Sequence, residues 1–204
     1  MAVRAPSAAG CGRPGALRGT VRTAIATAAL LAALLVGVSC TSNASDREVA
    51  AGNTLFESGD FKRARTRYHR AIAIDPQNAR AYYALGVIAY SQGSYNSAVI
   101  NFRRAIGIQN RDPDFWFQLG NSYAQIGRYR EALDAYDHVV ALNRLYADIY
   151  YARGIAHYNL HEWDDALRDL ESYLRHSPGG DRRVTATQLI NVLKKGGVRP
   201  NGDG

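Results

Sequence analysis

The sequence predicts an all-α protein built from repeated helical hairpins, and three regularities support this prediction. Four glycines lie 34 residues apart, at Gly52, Gly86, Gly120 and Gly154. An alanine follows each glycine after 12 residues, and an aromatic residue or leucine follows it after 16. A fixed period of this length is typical of stacked helix–turn–helix arrays, in which each copy buries its apolar side against the next.

The repeats can be numbered internally from 1 to 34. The four units are residues 45–78, 79–112, 113–146 and 147–180. Glycine at position 8 and alanine at position 20 are expected where two helices approach closely, because larger side chains would separate them. Aromatic residues at positions 4, 17 and 24 are expected to fill the adjoining space. Position 15, where a left-handed residue is expected to end each first helix, holds Gly59, Gly93, Gly127 and His161.

This pattern resembles the tetratricopeptide repeat (TPR) over all four units. The resemblance implies a right-handed α-α superhelix of four TPR hairpins. After the fourth unit, Asp181 can begin a helix over 181–195, whose apolar stripe is expected to cap the array. Residues 196–204 are rich in Gly, Pro and Asn and are predicted to be disordered. The prolines expected to end second helices are Pro76, Pro113 and Pro178.

The charge distribution argues against a nucleic-acid partner. The formal net charge is +7, but the first 39 residues contain four arginines and no acidic residue. The rest of the chain has 21 basic and 18 acidic residues, a net charge of +3. Nucleic-acid-binding domains usually show a strongly basic face, which so small a surplus does not indicate.

Residues 1–39 are predicted to be an export signal. An arginine-bearing region precedes an uncharged stretch from Thr23 to Ser39. At about 17 residues this stretch suits a signal core better than a spanning helix, which needs about 20. The signal is expected to be removed, although an uncleaved anchor helix is an alternative.

The end of the predicted signal, Val36-Gly37-Val38-Ser39-Cys40, resembles the lipobox of bacterial lipoproteins. The resemblance implies that Cys40 is lipidated and begins the mature chain, with 40–44 as a short tether. The lipobox usually has leucine where this chain has Gly37, so a cleaved signal without lipidation is a second alternative. Thr41 follows the cysteine, which implies an outer-membrane lipoprotein facing the periplasm if the cell is diderm. Cys11 would leave with the signal, so no thiol would remain for a disulfide or a nucleophile.

In TPR proteins the concave groove is formed mainly by the first helix of each unit. The candidate partner-binding residues on this basis are Asn53, Phe56, Tyr83, Val87, Tyr90, Phe117, Gln118, Asn121, Gln125, Tyr151, Ile155, Tyr158 and Asn159. Amides can pair with the backbone of an extended peptide, and aromatic faces accept its apolar side chains. For the position-12 tyrosines, packing between repeats is the alternative. Position 5 carries no lysine (it is Val49 and Phe117), so capture of an acidic chaperone tail is not expected.

The second helix of the first unit carries a cluster of basic residues. These are Lys62, Arg63, Arg65, Arg67 and Arg70. The short tether would hold them near the bilayer, where each cation close to an anionic surface contributes about 1 kcal/mol. The alternative is a solvated helix face.

No catalytic or cofactor fingerprint is present, and we expect neither an enzyme nor a cofactor. His157 and His161 lie near Glu162, but the order does not match the HExxH pattern of metalloproteases, so no metal site is predicted. The sequence therefore predicts a lipid-anchored TPR adaptor that binds a segment of a partner protein. It is similar to TPR lipoproteins that help assemble pilus secretins or dock peptidoglycan hydrolases. The alternatives are a carrier of small apolar ligands that works with a solute-binding protein, and a surface adhesin.

Overall fold

The computed structural model describes residues 44–177, 179 and 181–196 of the protein. The predicted signal, Cys40 and the predicted tail beyond Gly196 lie outside this part. The described residues contain helices and no strand, which confirms the predicted all-α fold. The helices are α1 (44–57), α2 (Phe61–Ile74), α3 (Ala79–Ser91), α4 (Tyr95–Ile108), α5 (Pro113–Gln125), α6 (Tyr129–Leu142), α7 (Ala147–Asn159), α8 (Trp163–His176) and α9 (Asp181–Lys194).

The helices pack in chain order as pairs, with α9 following the fourth pair. Each helix from α2 to α8 contacts the next, and the closest associations are α3 with α4, α5 with α6, and α7 with α8. The first pair is joined by polar contacts as well: the Ser45 hydroxyl of α1 donates to the Ala71 carbonyl of α2 at 2.9 Å. Helix α9 packs on α8, where Ala186 and Ile190 are buried with Leu170 and Tyr173.

Each position-8 glycine lies directly against the side chain at position 24 of its own repeat. A Cβ atom added at Gly120 would come within 2.3 Å of the Tyr136 ring, and one added at Gly86 within 2.6 Å of Phe102. At Gly154 the neighbour is Leu170, and the nearest approach is 3.0 Å. The glycines therefore admit a large side chain of the second helix, and the alanines at position 20 beside them are fully buried.

The helix ends follow the expected turn chemistry with one correction. Gly59, Gly93 and Gly127 have φ of 81°, 72° and 76°, and His161 takes the same left-handed conformation at 61°. The prediction for position 15 is confirmed. The expectation for Pro113 was wrong, because α4 already ends at Ile108 and Pro113 is the first residue of α5. At this place the missing N–H of proline has no cost, since the first amides of a helix have no intrahelical acceptor.

Candidate functional site: two clefts lined by the first helices

Two clefts lie along the face formed by α1, α3, α5 and α7. Cleft 1 has a volume of about 340 Å³ and cleft 2 of about 460 Å³. Cleft 1 is lined by Val49, Asn53, Phe56, Tyr68, Arg80, Tyr83, Ala84, Val87, Asp112, Asp114 and Phe115. Cleft 2 is lined by Tyr90, Phe117, Gln118, Asn121, Ala124, Gln125, Tyr129, Tyr136, Asp148, Tyr151, Ala152, Ile155, Ala156 and Arg182. Both volumes lie in the range of sites that hold small ligands or single side chains.

Eleven of the thirteen predicted groove residues line one of these clefts. Asn53, Phe56, Tyr83 and Val87 line cleft 1, and the seven from Tyr90 to Ile155 line cleft 2. Tyr158 and Asn159 line neither. The Tyr158 ring packs edge-to-face on Trp163 at 5.4 Å, and the Asn159 amide donates to the Ile155 carbonyl within its own helix.

The position-12 aromatics pack inside their own repeats. Tyr90 packs edge-to-face on Tyr95 at 5.2 Å, and Phe56 packs in the same way on Phe61 at 5.3 Å. Both remain only half-buried and line a cleft. The packing partners of Phe56 and Tyr90 thus lie in the same repeat as each ring, and the same two rings line the clefts.

The position-5 aromatics are held by rings of the core. Tyr83 of α3 stacks on Phe115 of α5 at 4.8 Å, and burial raises the pKa of the Tyr83 hydroxyl. The centroid of the Phe117 ring lies 5.2 Å from that of Tyr146, and the centroid of the Tyr151 ring lies 5.3 Å from that of Tyr173 in α8. These side chains therefore form rigid walls for the clefts.

Two of the predicted groove amides are oriented by buried tyrosines. The Tyr68 hydroxyl donates to Asn53 Oδ1 at 2.8 Å, and the Tyr136 hydroxyl donates to Asn121 Oδ1 at 2.9 Å. With Oδ1 occupied, the Nδ2 amino group of each asparagine is the side that can donate to a ligand. A peptide carbonyl is the natural acceptor for such a group.

These asparagines occur only where a tyrosine can support them. The residues at positions 9 and 24 are Asn53 with Tyr68, Val87 with Phe102, Asn121 with Tyr136, and Ile155 with Leu170. Polar and apolar pairs alternate, so the repeat that lines the clefts is two units long. The pairing is visible in the sequence once positions 9 and 24 are compared, and our sequence analysis missed it.

Nine of the eleven residues of cleft 1 have a counterpart in cleft 2 that lies 68 positions later in the sequence. The matching residues of cleft 1 and cleft 2 are Val49 and Phe117, Asn53 and Asn121, Phe56 and Ala124, Tyr68 and Tyr136, Arg80 and Asp148, Tyr83 and Tyr151, Ala84 and Ala152, Val87 and Ile155, and Asp114 and Arg182. Most pairs keep their chemical character. The two charged pairs reverse their sign.

The charged residues are the part of the site that sequence reasoning missed. In cleft 2, Arg182 of α9 pairs with Asp148 at 3.0 Å and lies over the Tyr151 ring at 5.8 Å. Their counterparts in cleft 1, Arg80 and Asp114, form no ion pair within 4.0 Å among the described residues. These four charged residues, Arg80, Asp114, Asp148 and Arg182, lie 34 positions apart. The repeat period could therefore have identified them in the sequence.

Asp112 and Asp114 lie together at the start of α5. The Asp114 backbone N–H donates to Asp112 Oδ1 at 3.0 Å, and the Tyr146 hydroxyl donates to Asp114 Oδ1 at 3.2 Å. Burial, and next to it the charge of Asp114, raises the pKa of the Tyr146 hydroxyl to about 12. The same two carboxylates add to the effect of burial on the pKa of Tyr83. The rim of cleft 1 is therefore electronegative.

The predicted basic patch is divided by the structure. Lys62, Arg63, Arg65 and Arg70 are exposed on α2, with Arg63 near Asp60 at 3.6 Å. Arg67 is half-buried and pairs with Glu48 of α1 at 3.1 Å, so it is a contact between the first two helices. Four of the five residues remain on the surface.

The histidine region of the fourth repeat is an ion network. His157 Nδ1 lies 2.7 Å from Glu162, and its Nε2 lies 3.7 Å from Asp169. Asp169 also accepts two bonds of 2.7 Å from Arg153, which occupies a position held by leucine in the second and third repeats. Atoms of His157, Glu162 and Asp165 lie within 4.8 Å of one another, but each carboxylate already faces an arginine.

The sequence profile of the tetratricopeptide repeat family matches residues 49–113 and 117–181, more than half of the chain. The chain belongs to this family. The TPR fold is generally a non-enzymatic scaffold for protein–protein interaction, with a concave surface built by its stacked helices. No curated protein sequence shows significant similarity to this TPR protein.

Solved TPR structures resemble this one over most of their length. The crystal structure of MamA is 27% identical with a TM-score of 0.67, covering 72% of this chain and 84% of MamA. YrrB, described as a TPR protein with an unusual peptide-binding site, is 22% identical with a TM-score of 0.67, covering 75% and 78%. The first TPR of Spaghetti (RPAP3), bound to the HSP90 peptide SRMEEVD, is 24% identical with a TM-score of 0.55, covering 60% and 94%. The last two show the fold.

None of the described helices combines the length and the apolar character that a membrane-spanning helix needs.

Proposed function

We propose that this TPR protein is an adaptor that holds an extended segment of a partner protein in clefts 1 and 2. The observation that carries the proposal is the repeated construction of the two clefts. In each, a tyrosine fixes one asparagine oxygen and leaves the amino group for a peptide carbonyl, beside rigid aromatic walls. The peptide-binding site named for YrrB and the peptide bound to the first TPR of Spaghetti support a ligand of this class.

Site-specific photo-crosslinking in cells tests this proposal. A photoreactive phenylalanine analogue at Arg80 reports on cleft 1, and one at Gln125 reports on cleft 2, because both side chains are exposed at a rim. Ile100 is the matched control, since it is 63% exposed on α4 and lines neither cleft. We expect discrete protein adducts at the two rim positions only. Equal adducts at Ile100, or none at either rim, would contradict the proposal.

Truncation of the wall aromatics is a poorer test. Tyr83 stacks on Phe115, and Phe117 packs on Tyr136 and Tyr146. Alanine at these places would remove core contacts and lower the stability by several kcal/mol. Loss of binding could then reflect loss of folding. The exposed rim positions avoid this ambiguity.

We also propose that the adaptor is attached to the bacterial envelope through a lipid on Cys40. The support is the lipobox-like sequence and the exposed cations Lys62, Arg63, Arg65 and Arg70, which begin about 20 residues after Cys40 in a chain that can extend by about 3.5 Å per residue. If the cell is diderm, Thr41 favours the periplasmic face of the outer membrane.

The test of attachment compares Cys40→Ala with Cys11→Ala. We expect wild type and Cys11→Ala to incorporate a fatty-acid label and to sediment with membranes. Cys40→Ala should lose the label and become extractable without detergent. Labelling that survives Cys40→Ala would refute lipidation at this residue, whereas a released but unlabelled wild type would favour a simple cleaved signal.

A small apolar ligand is the competing occupant, because the volume of each cleft also suits one. Native mass spectrometry of protein purified from its own host separates the two possibilities. A bound small molecule that is released only on unfolding would favour the carrier. Bare protein together with rim crosslinks would favour the adaptor.

A further inference from the structure

The comparison between the equivalent clefts indicates which peptide chemistry cleft 1 selects. Both clefts have one charge on α3 or α7 and one of opposite sign on the helix two further along the chain. In cleft 2 these charges, Asp148 and Arg182, neutralise each other at 3.0 Å. In cleft 1 the charges of Arg80 and Asp114 form no ion pair with any described residue and are available to a ligand.

Cleft 1 also has an additional acid. Asp112 lines it, whereas the place 68 residues later is Gly180, which has no side chain. The carboxylates of Asp112 and Asp114 face one cation, Arg80, and neither forms an ion pair among the described residues. Within the described part of the chain, Asp112 accepts from the Asp114 backbone N–H, and Asp114 accepts from the Tyr146 hydroxyl.

Apolar side chains line the same cleft as these carboxylates. Val49, Phe56, Val87 and Phe115 line the same cleft, and Phe115 follows Asp114 in sequence. A ligand side chain that is long and aliphatic with a cationic end can use both surfaces at once, because lysine and arginine place their methylene groups on apolar surface and their charge at its edge. An acidic ligand would meet like charge here.

We propose that cleft 1 selects an extended partner segment in which a lysine or arginine stands next to an apolar residue, the cation meeting Asp112 and Asp114. This inference rests on the proposed function and adds the chemistry of the segment. It is the opposite preference to that of a site for acidic peptide tails. Cleft 2, whose charges are already paired, contributes apolar and backbone contacts without selecting charge.

Selection from a phage-displayed random peptide library on the full chain tests the proposal. Asp112→Asn/Asp114→Asn removes both charges while keeping an N-cap residue and an acceptor for Tyr146, so the fold is retained. Asp134→Asn/Asp164→Asn is the matched control, because it removes two exposed carboxylates outside both clefts. Circular dichroism should show the same helicity for all three proteins.

We expect peptides selected on wild type and on the control to show about a threefold excess of basic over acidic residues next to apolar ones, and the cleft variant to lose this excess. A selected peptide, labelled with fluorescein, should bind the cleft variant about fivefold more weakly, with a smaller effect of salt. Selected peptides that are acidic or uncharged, or a basic excess that survives in the cleft variant, would overturn the inference and leave the adaptor proposal standing. No selection on any protein, together with absent rim crosslinks, would overturn both.

Discussion

The contact between Gly120 and Tyr136 provides the most quantitative test of the packing argument. An added Cβ would lie 2.3 Å from Tyr136 Cε1 and 2.5 Å from Cδ1, whereas carbon atoms pack best at about 3.5–4.0 Å. The ring would have to move by about 1 Å. It is 1% exposed and its hydroxyl is bonded to Asn121 at 2.9 Å, so it has little room to move.

Gly120→Ala should therefore be destabilising despite the better helix propensity of alanine. Overpacking of a core costs about 1–3 kcal/mol, and alanine recovers up to about 1 kcal/mol relative to glycine. With a fixed ring we expect a net loss of about 2 kcal/mol, a fall in melting temperature of roughly 4–8 °C for a chain of this size. Thermal and urea unfolding followed by far-ultraviolet circular dichroism measure both quantities.

Gly154→Ala is the matched control in the same protein. The added Cβ there would lie 3.0 Å from Leu170 Cγ, 3.2 Å from its Cδ2 and 3.3 Å from its backbone nitrogen. Each of these three distances is longer than the corresponding one at Gly120, so a shift of α8 and its leucine by a few tenths of an ångström relieves the contacts. We expect stability within about 1 kcal/mol of wild type, because the small repulsion and the gain in helix propensity nearly cancel. Equal destabilisation by the two substitutions would refute the argument from the neighbouring side chain.

A double substitution separates steric conflict from other effects of alanine. In the double variant Gly120→Ala/Tyr136→Leu, the new alanine faces a leucine, the side chain that Gly154 faces in the fourth repeat. Relative to Tyr136→Leu alone, Gly120→Ala should then cost little, which corresponds to a coupling energy of about 2 kcal/mol in the mutant cycle. Additive effects would show that the tyrosine ring is not the cause.

Three further predictions concern the fourth repeat and its neighbour. Asp169→Ala should lower the free energy of unfolding in urea by about 3 kcal/mol, because it leaves the half-buried Arg153 without its main partner. The double variant Arg153→Leu/Asp169→Leu should restore a stability near that of wild type. His161→Gly should raise stability by up to about 1 kcal/mol in the same assay, because φ is 61° there and only glycine adopts it without strain. Burial and Asp114 raise the pKa of Tyr146 to about 12 from 10.0 in the unfolded chain, so the stability due to this group is complete below about pH 10 and is lost as the pH rises toward about 12. Tyr146→Phe should make the decline of the urea midpoint over this range shallower, and an unchanged slope would contradict the assignment.

The 34-residue period predicted the fold and most of the clefts because both depend on side chains that repeat in phase. Position 8 must be small to admit the side chain at position 24, and position 15 must accept left-handed backbone. These needs recur in every repeat. For the same reason eleven of the thirteen predicted groove residues line a cleft, whereas Tyr158 lines neither, since its ring packs on Trp163 at the hairpin end.

The features that a repeat-by-repeat reading missed arise from differences between repeats. Arg153 interrupts a position that is Leu85 and Leu119 in the preceding units, and only the structure shows that Asp169 lies opposite to neutralise it. Likewise, Arg182 belongs to the helix expected to cap the array, yet it reaches Asp148 and the Tyr151 ring in cleft 2. Averaging over copies hides such departures, although they distinguish one TPR protein from another.

The two-unit spacing of the clefts affects the register in which a partner segment would bind. Both clefts offer an asparagine amide and an aromatic wall at equivalent places, so a segment spanning them would meet the same backbone contacts twice. Linking two weak sites in this way raises the effective affinity without new contacts, provided that the segment reaches both. Identical sites, however, would accept the segment in either of two registers. The reversed charges are paired at Asp148 and Arg182, whereas Asp114 forms no ion pair with a described residue, so the clefts are unequal and would distinguish one register from the other.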